Sequence, residues 1–197
     1  MTGEAPAELR VGVTGHRFLV KWEILEAGVD EALRRLAAAY PGRRLVVFSP
    51  LAEGADRLVA RRALALPGTG LIVPLPLPLA DYLEDFTTAE SKTEFRALLA
   101  RAEQVVELPP AATRDAAYAA VGAYVLDHSD GLIALWDGQG AQGQGGTGEV
   151  VDGARRRRLP LAWIYTGNRR PGTQQPATLG EEQGRATFER FPDSGSD

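Results

Sequence analysis

Short apolar runs alternate with amphipathic segments along most of this chain, and that alternation restricts the fold more than any other feature. Residues 10–14, 45–48, 71–75, 104–108, 131–136 and 161–166 are brief apolar or β-branched stretches with turn residues close by, the pattern of buried strands. Between them, Trp22, Leu25, Val29, Leu33, Leu36 and Tyr40 mark one helix face, and Ala55, Leu58, Val59, Ala63 and Leu66 a second. A third follows at Phe95, Leu98, Leu99 and Ala102, and a fourth at Ala117, Val121, Tyr124, Val125 and His128, separated by Pro109 and Pro110. Strands that are apolar throughout need cover on both sheet faces, and right-handed βα crossovers supply it. The expected fold is α/β: a Rossmann-like open sheet of about six mainly parallel strands with helices on both faces.

Composition narrows the chemistry. The 197 residues suit one domain with its own core plus a tail: an extension over 1–9, the sheet domain over 10–166, and a tail over 167–197. That tail is rich in Gly, Pro, Gln and charge, with Phe188 and Phe191 as its large apolar residues, and is expected to be flexible. The two phenylalanines could instead clip onto a neighbouring copy in a homo-oligomer. With no cysteine and two histidines, disulfides, thiolate zinc sites and His-rich metal sites are excluded, and neither metal nor cofactor is expected. No secretory or membrane-spanning segment is evident, because the most apolar later run, 71–80, is broken by Pro74, Pro76 and Pro78. A cytoplasmic protein is expected. The net charge of −4 argues against an extended nucleic-acid footprint, and the basic block Arg155 to Arg158 reads as a solvated helix end.

In open parallel sheets, ligands sit beyond the carboxyl ends of the strands, and here those ends are polar and rich in glycine. Thr14-Gly15-His16-Arg17 follows the first strand, Ser49 to Arg57 the second, and Asp137 with the run from Gly138 to Gly148 the fifth. Gly145, Gly146, Thr147 and Gly148 lead into a helix-like segment near Val150, so their amides and the positive end of the helix dipole can cradle a phosphate. Gly15 permits close backbone approach, Arg17 offers a forked cation, and Ser49 or Gly54 can donate at the edge of the second helix. The spacing fits neither the dinucleotide fingerprint nor a P-loop.

Further residues invite two readings each. His16 could shuttle a proton or bind phosphate, or brace its own turn. Asp137 could accept ribose hydroxyls or align a water, or cap its turn. Glu149 and Asp152, three apart on an early helical face, could meet a ribose or simply favour the helix dipole. Tyr82, Asp85 and Phe86 could form a lid over a base or an amphipathic helix edge packed on the sheet. His128 falls on an apolar helix face, and Asp127-His128-Ser129 cannot be a hydrolase triad, since helix neighbours point in different directions.

Taken together, the segments Gly12 to Arg17, Ser49 to Asp56, Trp136 to Gly138 and Gly145 to Gly148 resemble the SLOG superfamily of Rossmann-like nucleotide-binding proteins, over residues 10–166. That superfamily includes Lonely Guy phosphoribohydrolases, DNA-processing DprA, YpsA-like proteins and sensor modules. Thr14 to Arg17 looks most like the YpsA-like and sensor branches. In the enzyme branch's Pro-Gly-Gly-x-Gly-Thr-x-x-Glu signature, the glycines fall on Gly145, Gly146 and Gly148, while Gln144 replaces the proline, Glu149 the threonine and Asp152 the catalytic glutamate. The branch's partner arginine has no counterpart around residues 95–101. The resemblance implies a nucleotide or nucleotide-derived ligand, bound as a sensor or regulatory module. The alternatives are a nucleotide N-glycosidase using Glu149 or Asp152 with Asp137 orienting water, and an interaction scaffold whose glycine loop orders on a protein partner.

Overall fold

The computed structural model describes residues 7–140, 145–170 and 172–192. Parallel strands β1 (Glu8–Gly15), β2 (Arg44–Phe48), β3 (Gly70–Leu75), β4 (Gln104–Glu107), β5 (Gly131–Trp136) and β6 (Leu161–Tyr165) form one sheet with β7 (Ala186–Glu189), which runs antiparallel to β6. The order across the sheet is β4-β3-β2-β1-β5-β6-β7. The helices are α1 (Trp22–Ala39), α2 (Ala55–Leu64), α3 (Leu79–Leu83), α4 (Ala89–Leu99), α5 (Arg114–Asp127) and α6 (Thr147–Arg156). The architecture is the Rossmann-like α/β sheet expected from the alternation, with one more strand.

Both sheet faces are covered, as continuous apolar strands require. Leu9, Val11, Val13, Ile133, Leu135 and Ile164 pack with Leu25, Val29, Leu36, Leu58, Val59 and Phe95 from α1, α2 and α4 on one face. Val46, Phe48, Leu132, Ala134 and Trp136 meet Val125, Leu126, Val151 and Ala154 from α5 and α6 on the other. Neighbouring strand residues thus serve opposite layers, following the period of two. The starts of α4 and α5 are fixed by Thr88 and Thr113, whose hydroxyls accept the N–H groups of Ser91 and Ala116, each at 3.1 Å, the usual N-cap arrangement.

Three readings are corrected. The segment past Thr166 is built into the fold at several points. Phe188 and Phe191 pack on the core of this chain, with Arg35 over the Phe188 ring at 4.5 Å. Arg155, read as a solvated helix end, donates to the Glu189 carboxylate at 2.7 Å. Gln183 is 5 % exposed; its amide nitrogen donates to the Val20 carbonyl at 3.2 Å, and its oxygen accepts from Gly167 at 3.1 Å. The physical reason is that β6 would otherwise leave its outer edge unpaired. The lid reading of Tyr82 and Phe86 also fails: both are buried, edge-on at 5.1 Å, and part of the α4-side core. Among the described residues no helix is long and apolar enough to cross a membrane.

Candidate functional site

The chain lays β2, β3 and β4 on one side of β1 and β5 and β6 on the other, so a crevice opens where the carboxyl ends of β1 and β5 diverge. It is a cavity of about 350 Å³ lined by Gly15, His16, Arg17 and Phe18 after β1, Trp136, Asp137, Gln139 and Gly140 after β5, Gly145 to Gly148 at the start of α6, and Asn168 and Arg169 after β6.

Each wall is placed by local chemistry. Gly15 has no room for a side chain, since a Cβ would lie 2.4 Å from that of Ala55 and 2.7 Å from the Leu135 carbonyl. Gly54, with φ +80°, tucks beneath the same turn: a Cβ there would sit 2.4 Å and 2.5 Å from the carbonyl oxygens of His16 and Arg17. The Ala55 N–H donates to the His16 carbonyl at 3.1 Å, locking the turn onto the start of α2. Ser49 is fully buried and its Oγ accepts the Leu51 N–H at 3.2 Å. Ser49 and Gly54 therefore lie outside the cavity lining and shape the loop beneath it. Beside them, Asp56 is 5 % exposed and accepts the Ala52 N–H at 3.2 Å. Burial pushes its carboxyl up to about 7, against the Ala52 hydrogen bond and the charges of Arg17 and Arg57.

His16 and Asp137 meet across the cavity floor. His16 Nε2 lies 3.1 Å from Asp137 Oδ1 and 3.1 Å from the Asp137 backbone N–H. Burial lowers the pKa of His16, although Asp137 pulls it upward. His16 Nε2 is thus within hydrogen-bond reach of both the Asp137 N–H and the Asp137 carboxylate, and Asp137 Oδ1 also accepts the Gln139 N–H at 3.0 Å. The pair holds the β1 and β5 loops together.

At the start of α6, Gly145 has φ +76°, and a Cβ there would lie 2.8 Å from the Ala119 nitrogen; only glycine lets the loop press so closely on α5. Its N–H donates to Glu149 Oε2 at 2.7 Å, so Glu149 braces the helix start in the manner of a capping box. The first-turn amides of a helix have no intrahelical acceptor, and here those of Thr147 and Gly148 border the cavity. Arg17 supplies the cation: its guanidinium lies 5.5 Å from the Tyr118 ring centroid. Asp152 does not line the cavity; it lies 55 % exposed, 4.0 Å from Arg155. Of the three carboxylates the sequence offered for chemistry, Asp137 alone is on the lining.

Asn168 and Arg169 were not legible as lining residues, because they open a segment without strand or helix period. The Asp127-His128-Ser129 triplet is dispersed as expected. Asp127 accepts from Arg157 at 2.6 Å, His128 stacks on Tyr124 at 3.9 Å, and Ser129 donates to the Val125 carbonyl at 2.6 Å. Among the described residues no group of three or more His, Asp or Glu side chains is placed to hold a metal ion.

No protein-family model matches the sequence, and no curated protein matches it significantly. Among solved structures, the chain is similar to DNA processing protein A (DprA) from Streptococcus pneumoniae, with a TM-score of 0.56 at 15 % identity, covering 95 % of this chain and 54 % of that one. The chain thus spans about half the length of DprA. A structure of TM1055 aligns more loosely, with a TM-score of 0.46 at 17 % identity over 78 % of this chain and 72 % of that one. The likeness to DprA is one of fold: an open, mainly parallel α/β sheet of the Rossmann-like kind.

Proposed function

We propose that this protein binds a nucleotide or nucleotide-derived ligand in the crevice between β1 and β5, as a cytoplasmic sensor or regulatory module akin to the YpsA-like and sensor branches. One observation carries the reading: the Arg17 guanidinium and the first turn of α6 border the same cavity. Amides at a positive helix end and a forked cation are complementary to phosphate. Gly15, His16, Gly146, Thr147 and Gly148 complete the contact surface, and Asn168 and Arg169 are available to the rest of the ligand.

Binding is favoured over catalysis because the Glu149 carboxylate holds the Gly145 N–H and Asp152 stands in solvent. An N-glycosidase would have to rely on Asp137. DprA is named for DNA processing, but the net charge of −4 suits a small nucleotide better than a polymer.

Calorimetry and thermal shift with ribonucleoside mono- and diphosphates test the reading. Arg17→Ala should weaken the nucleotide that binds by about 10- to 100-fold, the worth of a charge-assisted contact. The exposed side chain can be removed with little change in the ligand-free melting temperature. No stabilisation by any nucleotide, or equal affinity in the variant, would refute it.

A further inference from the structure

A second recess, of about 100 Å³, lies on the other side of Arg17. Gly15, Arg17, Gly145 and Thr147 border both it and the larger cavity, so one ligand can occupy the two. One wall is apolar, made by Val13, Val121, Val125 and Val150. Facing it are Asp56, Tyr82 and Tyr118.

Tyr82 is 0 % exposed, and its Oη has no hydrogen-bond partner. Its ring cannot swing the hydroxyl elsewhere, being wedged against Phe86 at 5.1 Å and Phe95 at 5.6 Å. Buried hydroxyls are nearly always paired, so an unpaired one on a cavity wall marks a place where an outside group completes the bond. Asp56 uses Oδ2 for the Ala52 N–H, which leaves its second oxygen as an acceptor. Tyr118 is already engaged, donating to Asp85, with the Arg17 guanidinium 5.5 Å from its ring centroid.

A phosphate is a poor occupant beside the Asp56 carboxyl, and the volume suits a sugar ring better than a purine, for which the larger cavity has room. A hydroxyl both donates and accepts, so a vicinal diol can satisfy the carboxyl and the phenol together. We infer that this recess receives the ribose of the ligand, its diol meeting Tyr82 Oη and Asp56 while the phosphate rests on the α6 first turn and Arg17. The inference rests on the nucleotide reading above.

Calorimetry of the full chain with AMP, GMP, CMP and UMP against their 2′-deoxy counterparts tests it. The ribose form should bind on the order of tenfold more tightly, the loss expected when a buried polar site is left unpaired. Tyr82→Phe keeps the ring and removes the orphaned hydroxyl. It should leave the ligand-free melting temperature unchanged or higher, leave deoxynucleotide binding unchanged, and abolish the ribose preference. Asp56→Asn, which retains an acceptor for Ala52, gives the same readout should the first variant melt lower. Equal binding of ribose and deoxyribose forms, or a preference that survives both substitutions, overturns the inference while the nucleotide reading stands; the recess then holds water only. Binding of none of the eight, nor of the ribonucleoside diphosphates, overturns both.

Discussion

Replacing Asp56 with Asn should stabilise the protein progressively as the pH is raised towards neutrality. The carboxyl is 5 % exposed, and its burial lifts it from 3.8 to about 7, with the Ala52 N–H, Arg17 and Arg57 opposing. Tyr82 also faces it but titrates far higher. Between the two values the folded chain keeps a proton that the unfolded chain has released, so the carboxyl's contribution to stability falls as pH rises from 3.8 and levels above about 7. At about 1.4 kcal/mol per pH unit this span amounts to roughly 4 kcal/mol. His16 works in the opposite sense. Its lowered pKa makes its contribution complete above about 6.5 and lost as pH falls below that value. That titration is common to both proteins and cancels in their difference. Urea unfolding of wild type and Asp56→Asn across the acidic to mildly alkaline range gives that difference directly. It should climb by about 1.4 kcal/mol per pH unit and flatten near neutrality. A difference that stays constant with pH would show that the carboxyl ionises as freely when folded as when unfolded, and the argument would be wrong.

Two further substitutions probe the frame. Gly54→Ala places a Cβ against the carbonyl oxygens of His16 and Arg17 at a φ of +80°. It should cost about 3 kcal/mol, lowering the melting temperature by roughly 6–12 °C; an unchanged melting curve would mean that the β1 turn is not wedged there. Phe188→Ala removes a half-buried ring held by Arg35 and Phe191. A loss of about 1–2 kcal/mol is expected, less than for a fully buried ring, together with faster amide exchange along β7. Unaltered exchange at Thr187 and Phe188 would contradict the pairing with β6.

The six parallel strands could be read from sequence because each is a compact apolar run with its own helix period behind it. The crevice followed from the polar residues that close those runs: Gly15 to Arg17, Asp137 and Gly145 to Gly148 all line it, and Thr14 lines the smaller recess beside it. What could not be read depends on partners distant in the chain. Ala186 to Glu189 is short and mixed in character, and becomes a strand because the edge of β6 accepts it. Tyr82 carries the helix-edge pattern of a core residue, and nothing nearby in sequence shows that its hydroxyl ends unpaired beside Asp56. Ser49 and Gly54 sit in the right loop for a ligand contact, yet the buried Ser49 Oγ and the positive φ of Gly54 serve the turn above them. Asn168 and Arg169 join the lining only because Gln183, Thr166 and Val20 fasten the chain after β6 to the turn after β1.

The wedge of Gly54 beneath the His16–Arg17 turn, the Ala55-to-His16 hydrogen bond and the His16–Asp137 contact fix the mouth of the crevice during folding. The anion of the proposed ligand would then meet described residues already held in place. Among the described lining residues, ordering the Arg17 side chain would cost such a ligand at most about 2 kcal/mol of rotamer entropy. Most of the attraction is then left to show as affinity, and association should be fast and insensitive to slow rearrangement of the backbone.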